Sequence, residues 1–487
     1  MFAQWTGNDM FKFLPIIVIS TLIFGCVRYV PRPIDPPLLE QSYRARGLAD
    51  PNLEQFFKTN FKGGSEAWPP RSMDLEALTL LALYFSPDLD EVRTRIAASE
   101  AAIVTAGTKP NPSVLTGAGY NSERGPFAFR SDLEIPFETA GKRQYRVLRA
   151  EQLSQASRFS LSETAWRLRS RLRTALVDHL LSGRELEQRG AEAQVRREIV
   201  AIYERRLEVG ETSTPFVTAA RTDLSRVQLE IEQLQGRIAE TRAAIAGVIG
   251  LPGTALDTVQ FVLSNLEQPA AEQALNIQSV QKTGLLNRID IRRLFAEYKA
   301  ADTDLRLEIA RQHPNVALAP SYSSVEGYLL GPALVLPVFD RNRGPIAEAD
   351  ARRETAAARL SGAQAGAIAE MERGLADYRS ALRELNQAQA TLDLVYQREQ
   401  TAERQFKAGE VDRLALASVR LEAAAADRDR LGALRRTHTT LGALEDAVQH
   451  PLPPGTTMPE PPSTNPRDAK REPDRAKPQE KKEGVPQ

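Results

Sequence analysis

A near-repeat of about 200 residues constrains this chain more than any other feature. The first copy reads SPDLDEVRTRIAASEAAIVTAGTKPNPSV from Ser86, and the second reads RIDIRRLFAEYKAADTDLRLEIARQHPNV from Arg288. Asp88 aligns with Asp290, Lys109 with Arg311 and Pro112 with Pro314. Each proline precedes a β-like stretch ending at Tyr120 or Tyr322, then LEIPFETAGKR (Pro136) or LVLPVFDRNRG (Pro337). A very long helical stretch follows, broken at VGETSTP (Gly210) in one copy and AGEVDR (Gly409) in the other. Pairwise identity is low, so the shared order and spacing carry the argument. Each copy reads as helix, strand, strand, long helix, turn, helix.

This division gives residues 1–25 as a signal segment and 26–72 as a Pro-rich leader. The first repeat is 73–250, with strands at about 112–137 and a helical hairpin at about 141–250. A connector, 251–287, leads to the second repeat, 288–450, with strands at about 314–339 and a hairpin at about 344–449. The tail 451–487, rich in Pro, Lys and Glu, cannot bury a core and reads as disordered.

Between Lys142 and Val209 there is no proline, and only Gly183 and Gly190 interrupt. At 1.5 Å per residue such a helix is about 100 Å long. Apolar positions recur at sevens: Leu172, Leu186, Val200 and Leu207 going down, then Leu224, Ile231, Ile238 and Ile245 returning. In the second copy Leu375, Tyr378, Leu382, Leu385 and Leu392 form the same seam. Two antiparallel hairpins follow, with Gly210 and Gly409 in the left-handed conformation that ends a helix. Thr214 before Pro215 suits an N-cap and first turn, and Asp412 is the equivalent cap in the second copy.

The stretch FAFRSDLEIPF alternates strictly. Phe127, Phe129, Leu133 and Ile135 fall on one side, and Ala128, Arg130, Asp132 and Glu134 on the other. One side is fit for lipid and the other for a water-filled lumen. SVLTGAGY is its partner strand through the loop NSERGP. The second copy offers NVALAPSYSS and YLLGPALVLPVF, which alternate less well, the last being apolar on both sides. Each run is about ten residues, enough to cross a bilayer at a tilt. Closed membrane barrels begin at about eight strands and open edges are forbidden in lipid, so four spanning strands require the chain to oligomerise.

Function classes narrow accordingly. Lys and Arg number 63, as do Asp and Glu, so no basic footprint for nucleic acid exists. The single cysteine, Cys26, excludes an internal disulfide or multi-cysteine metal site, and the four histidines are dispersed. No HExxH, GxSxG or Gly-rich phosphate loop is present, so neither an enzyme nor a cofactor or metal site is expected. Lys12 and the apolar run Phe13 to Gly25 make a secretory signal, for which Met10 is a more typical start than Met1. Gly25-Cys26 resembles a lipobox, which implies cleavage before Cys26 and a diacylglycerol on its sulfur. Val27 follows where an inner-membrane lipoprotein commonly carries aspartate, leaving the outer membrane as the destination.

Together these residues resemble the outer membrane factor family, the TolC-like efflux proteins, over about 78–448. The likeness rests on the duplication, the two strand-Pro-long-helix units, and the tip motifs VGETS and AGEVD. NPSVLTGAGY, IPFETAGKR and LPVFDRNRG look most like the heavy-metal cation efflux branch. The resemblance implies a mainly α fold with a small membrane β-barrel portion, assembled as a trimeric α/β-barrel channel. It implies a passive conduit from periplasm to exterior, working with a periplasmic adaptor and an inner-membrane pump. The tips, Gly210, Glu211, Thr212, Ser213, Gly409, Glu410, Val411 and Asp412, then form the periplasmic entrance and the adaptor contact. Many members carry acidic rings beyond the tip glycine. Here Ala415 and Ser418 stand there, leaving Glu410 and Asp412 as candidate gate acids. Two other readings share parts of this pattern: the duct of a type I protein secretion system, and a periplasmic coiled-coil adaptor or structural lipoprotein.

Overall fold

The computed structural model describes residues 28–61, 68–121, 125–271, 288–452 and 458–468, with only the backbone described at 121 and 125–127. Cys26, the signal segment and the end of the tail lie outside the described residues. The chain divides into two units, Met1–Arg46 and Gly47–Gln487. In the first, helix α1 (Pro36–Arg44) buries none of its residues.

The second unit contains α2 (Pro51–Asn60), β1 (Ser72–Met73), α3 (Leu75–Phe85), α4 (Pro87–Ala106), β2 (Ser113–Asn121), β3 (Gly125–Phe137), α5 (Lys142–Glu208) and α6 (Thr214–Ile249). There follow β4 (Gln260–Phe261), α7 (Ile289–Ala310), β5 (Val316–Ser323), β6 (Gly327–Leu334), α8 (Arg343–Lys407) and α9 (Arg413–Val448). The duplication is visible in these lengths: α5 has 67 residues and α8 has 65, while α6 and α9 have 36 each. Both long helices start from a left-handed residue, Gly141 (φ 71°) and Asn342 (φ 58°). Both hairpin returns also end on one, Gly250 (φ 91°) and Gln449 (φ 51°). Of the expected seam, Leu172, Val200, Ile245, Leu375, Tyr378 and Leu392 are buried and Leu186, Leu224, Ile231, Ile238, Leu382 and Leu385 half-buried, whereas Leu207, near the tip, is exposed.

The four membrane-length strands form one antiparallel sheet in the order β2-β3-β5-β6. The pairing sorts its faces, because directly opposed residues share a face. Phe129, Leu133 and Ile135 align with Ala118, Val114 and Leu318. Through β5 the same row reaches Tyr328, Leu330, Pro332 and Leu334 of β6. Opposite them, Arg130, Asp132 and Glu134 align with Gly117, Leu115 and Ser113, and with Ser323 and Ser321 of β5. That row ends in Gly327, Leu329, Gly331 and Ala333. One face is thus apolar and aromatic except for the Ser131–Thr116 pair, and the other small and polar except for Leu115 and Leu329. The last strand stays apolar on both sides, with large side chains on the row of Tyr328 and Leu330 and only Gly, Ala and Leu329 on the other. Strands of the second copy, expected to reach about 339, end at Leu334, where Pro337 cannot donate to a ladder. Within the protomer β2 and β6 are edge strands.

The largest core lies beside the long helices rather than along them. In α3, LEALTLLALYF, every residue but Glu76 is buried, as befits a helix apolar all round. It packs with Leu161, Leu168, Leu172 and Leu176 of α5 and Ile245 and Ile249 of α6. The connector joins this core: β4 pairs parallel with β1, Met73 opposite Phe261. The tail departs from the expected solvated coil. Pro462 O accepts from Arg93 Nε at 3.2 Å, Arg467 pairs with Asp90, and Met458 packs on the core. Those anchors are single residues inside a biased composition, so composition conceals them.

Candidate functional site: hairpin tips and strand faces

Both tips close by the same backbone device. Gly210 (φ 77°) and Gly409 (φ 78°) are left-handed, and the next residue's N–H reaches back five positions. Glu211 N donates to Arg206 O at 2.7 Å, and Glu410 N donates to Gln405 O at 2.9 Å. This bonding satisfies carbonyls that a helix end otherwise leaves open. Nothing lies within 4 Å of a Cβ built on either glycine, so only backbone conformation demands glycine there.

The caps differ. Asp412 accepts from Ala415 N at 2.8 Å, as expected of an N-cap. In the first copy the capping position is Ser213 rather than Thr214, and its side chain makes no cap bond. Thr214 is already helical and Pro215 occupies the first turn, a shift of one residue. Asp412 also accepts from Arg206 at 2.7 Å, joining the second hairpin's tip to the first's last helical turn. The Ala415 N–H and Arg206 together hold the Asp412 carboxyl below the usual carboxylate range. About two turns further up, Glu198 faces Arg413 at 3.8 Å and Arg420 at 4.0 Å. Glu204 binds Arg221 at 2.6 Å within the first hairpin, where Tyr203 stacks on Phe216 at 6.2 Å. The sequence reading missed Arg206 and Glu198. Arg206 lies one turn before the tip glycine, but its partner is about 200 residues away. Thr212 and Val411 are half-buried, while Glu211 and Glu410 are exposed.

On the sheet, Arg130 Nε donates to Asp132 Oδ2 at 2.9 Å along the polar face, and Glu134 is exposed beside them. Phe129 stands on the apolar face with Leu133 and Ile135. The Phe127 side chain lies outside the described residues. Among the described residues no helix is long and apolar enough to cross a membrane. No group of three or more His, Cys, Asp or Glu among them could hold a metal ion.

A duplicated unit with a four-stranded sheet on two very long helical hairpins defines a fold class, the α/β architecture of the TolC-like type. Residues 79–251 match the family model described as outer membrane efflux protein. The match spans about a third of the chain, so over these residues the chain is similar to that family. A relative is the cobalt-zinc-cadmium resistance protein CzcC of Cupriavidus metallidurans, 22% identical over 279 residues. That match covers 56% of this chain and 65% of the relative, just under two thirds of its length. Among solved structures, VceC of Vibrio cholerae superposes with a TM-score of 0.62 at 19% identity, covering 77% of this chain and 95% of that one. CusC gives 0.63 at 18%, covering 80% and 96%. The outer-membrane channel OprN gives 0.64 at 18%, covering 87% and 98%. At such identities the likeness is one of fold.

Proposed function

We propose that this chain is the outer-membrane duct of a tripartite efflux system, a passive trimeric conduit anchored by lipid at Cys26. One observation carries the reading: a sheet with an apolar and a polar face, left open at β2 and β6, continues into hairpins about 100 Å long. Lipid does not tolerate unpaired strand edges, so three copies joined edge to edge give a closed twelve-stranded wall. Phe127, Phe129, Leu133 and Ile135 then face lipid, and Arg130, Asp132 and Glu134 face water. The tips extend into the periplasm, where Gly210 to Ser213 and Gly409 to Asp412 meet an adaptor bound to an inner-membrane pump. Arg206–Asp412 is a bond between the two hairpins that tip opening would have to break. The CzcC likeness favours heavy-metal cations as cargo. Selectivity would then reside in the pump.

The test is a deletion strain complemented with this gene and challenged with cobalt, zinc, cadmium and several drugs. Restored metal resistance with a trimer in the outer-membrane fraction is expected. Full metal resistance in the deletion strain would sink the metal assignment, and a monomer in the periplasm would sink the conduit. Mass spectrometry of the mature N-terminal peptide should show a diacylated Cys26. A retained leader or an unmodified thiol would remove the anchor.

A further inference from the structure

All four junctions between the sheet and the long helices lie at one end of the sheet. The segments 107–112, 138–146, 307–315 and 335–343 carry seven Lys and Arg against three Asp and Glu, in a chain with no net charge. A local excess of this kind draws counter-ions. A cavity of about 430 Å³ opens among the last three of these segments, lined by Glu138, Lys142, Arg146, Arg311, His313 and Asn315.

Register says which way it faces. Phe137 pairs with Val316 on the apolar face at the end of the ladder; Glu138 and Asn315 lie one residue beyond it, and continued alternation would place them on the polar row of Glu134 and Ala317. Three cations line the cavity against one carboxylate. That carboxylate, Glu138, is held at both oxygens by Arg146. Arg311 is half exposed and binds Glu308 at 2.6 Å. Lys142 is only 7% exposed, and both its acceptors are neutral: His313 O and Asn315 Oδ1, each at 2.6 Å. Burial depresses the Lys142 pKa, which Glu138 partly restores and Arg311 lowers further. A buried ammonium without its own counter-ion is costly, and an anion in the cavity would relieve it.

We propose that this cavity is an anion site on the wall of the conduit, where Lys142, Arg146 and Arg311 take a small oxyanion of the phosphate type. Its position on the lumen side rests on the channel reading above; its charge and geometry do not. At about 30 Å³ per water the space holds the anion with part of its hydration shell. Three copies would ring the base of the barrel and give an unfilled channel a preference for anions.

The test is equilibrium dialysis of the full-length, detergent-solubilised protein against labelled inorganic phosphate. A soluble short-chain anionic phospholipid, the other source of the same chemistry, is run in parallel. About one phosphate per protomer should bind, and Arg311→Gln and Lys142→Gln should each weaken binding about tenfold, the worth of one charge-assisted hydrogen bond. Arg353→Gln, on α8, should leave binding unchanged. Arg311 is half exposed, so its variant keeps the test valid if Lys142→Gln fails to fold. No phosphate uptake by the wild type, equal uptake by wild type and Arg311→Gln, or uptake of the phospholipid alone would each overturn the site. Reversal potentials in a planar bilayer under a KCl gradient are read separately and should move toward cations in Arg311→Gln. A protein that binds phosphate but passes no current keeps the site and refutes the conduit.

Discussion

The two copies of the repeat share a backbone and are secured by different chemistry. The first ends its hairpin on Gly250, against the carbonyl of Phe85 at the end of the buried helix α3. A Cβ there would come within 2.8 Å of Phe85 O and 3.0 Å of Pro87 Cδ. The second ends on Gln449, whose Oε1 accepts from Ile289 N at 2.7 Å and Asp290 N at 3.3 Å, capping α7. Arg288 adds bonds to Asp290, Glu370 and Ala447 O. Among the described residues no counterpart of α3 precedes α7. A close contact with the buried helix closes one copy, and a polar network beside the small apolar cluster of Met371, Ala447 and Val448 closes the other. The duplication repeats geometry and leaves each copy to find its own means of holding it.

The sharpest test of this contrast is at the two hairpin ends. Gly250→Val adds left-handed strain of about 1–2 kcal/mol to an overpacking cost of about 1–3 kcal/mol. A steep fall in Tm and in membrane yield is expected. Gln449→Ala leaves the backbone as it is and orphans donors on α7, costing about 1–3 kcal/mol. Equal thermal shifts in the two variants would mean that the copies are held alike.

At the tips the backbones are equivalent, so Gly210→Val and Gly409→Val should behave as a pair. Each adds local strain of about 1–2 kcal/mol with no clash. Outer-membrane abundance should remain normal while efflux is lost, and crosslinkers at Glu211 or Glu410 should capture an adaptor. Normal efflux in both variants, with no crosslink, would reduce the tips to helix stops.

Side chains should then separate the tips. Asp412→Ala removes a cap worth about 1 kcal/mol together with the Arg206 bond, and should raise resting conductance. Ser213→Ala should change nothing measurable. Because the Asp412 pKa is depressed in the folded chain, its contribution is complete above the ordinary value of 3.8 and is lost as pH falls through the lower, folded value. Conductance should therefore rise only in that acid range, and a rise near neutrality would assign the gate to other groups.

The smallest perturbation is a cysteine at Leu329 or Leu330. Both are strongly exposed in the protomer, at 70% and 67%, and stand on opposite faces. A water-soluble maleimide should label position 329, with Arg130, Asp132 and Glu134, and spare position 330, with Phe129, Leu133 and Ile135. Equal labelling would count against a membrane wall.

Much of this was legible in the sequence because it is local. Helix lengths follow from the absence of proline, the tips from Gly-Glu pairs, and the β3 faces from strict alternation between Phe127 and Ile135. What was hidden is non-local. The faces of β6 depend on its register with β5, and β5 in turn on β3 of the other copy. The Arg206–Asp412 bond, the β1–β4 pair and the docking of Pro462 and Arg467 join residues far apart, with no periodic signal to mark them. The cationic junction lies between these cases. Its charges can be counted in the sequence, but its cavity needs Glu138 and Asn315 brought to one face.

The two open edges of the sheet bear on the life of the chain before assembly. On the proposed reading, a subunit before assembly presents unpaired β2 and β6 together with an apolar face, the surface that invites strand addition and aggregation. Assembly buries that surface, and incomplete assembly leaves it on display. In the proposed assembly, the edges that would join protomers are the same edges a lone subunit leaves unpaired.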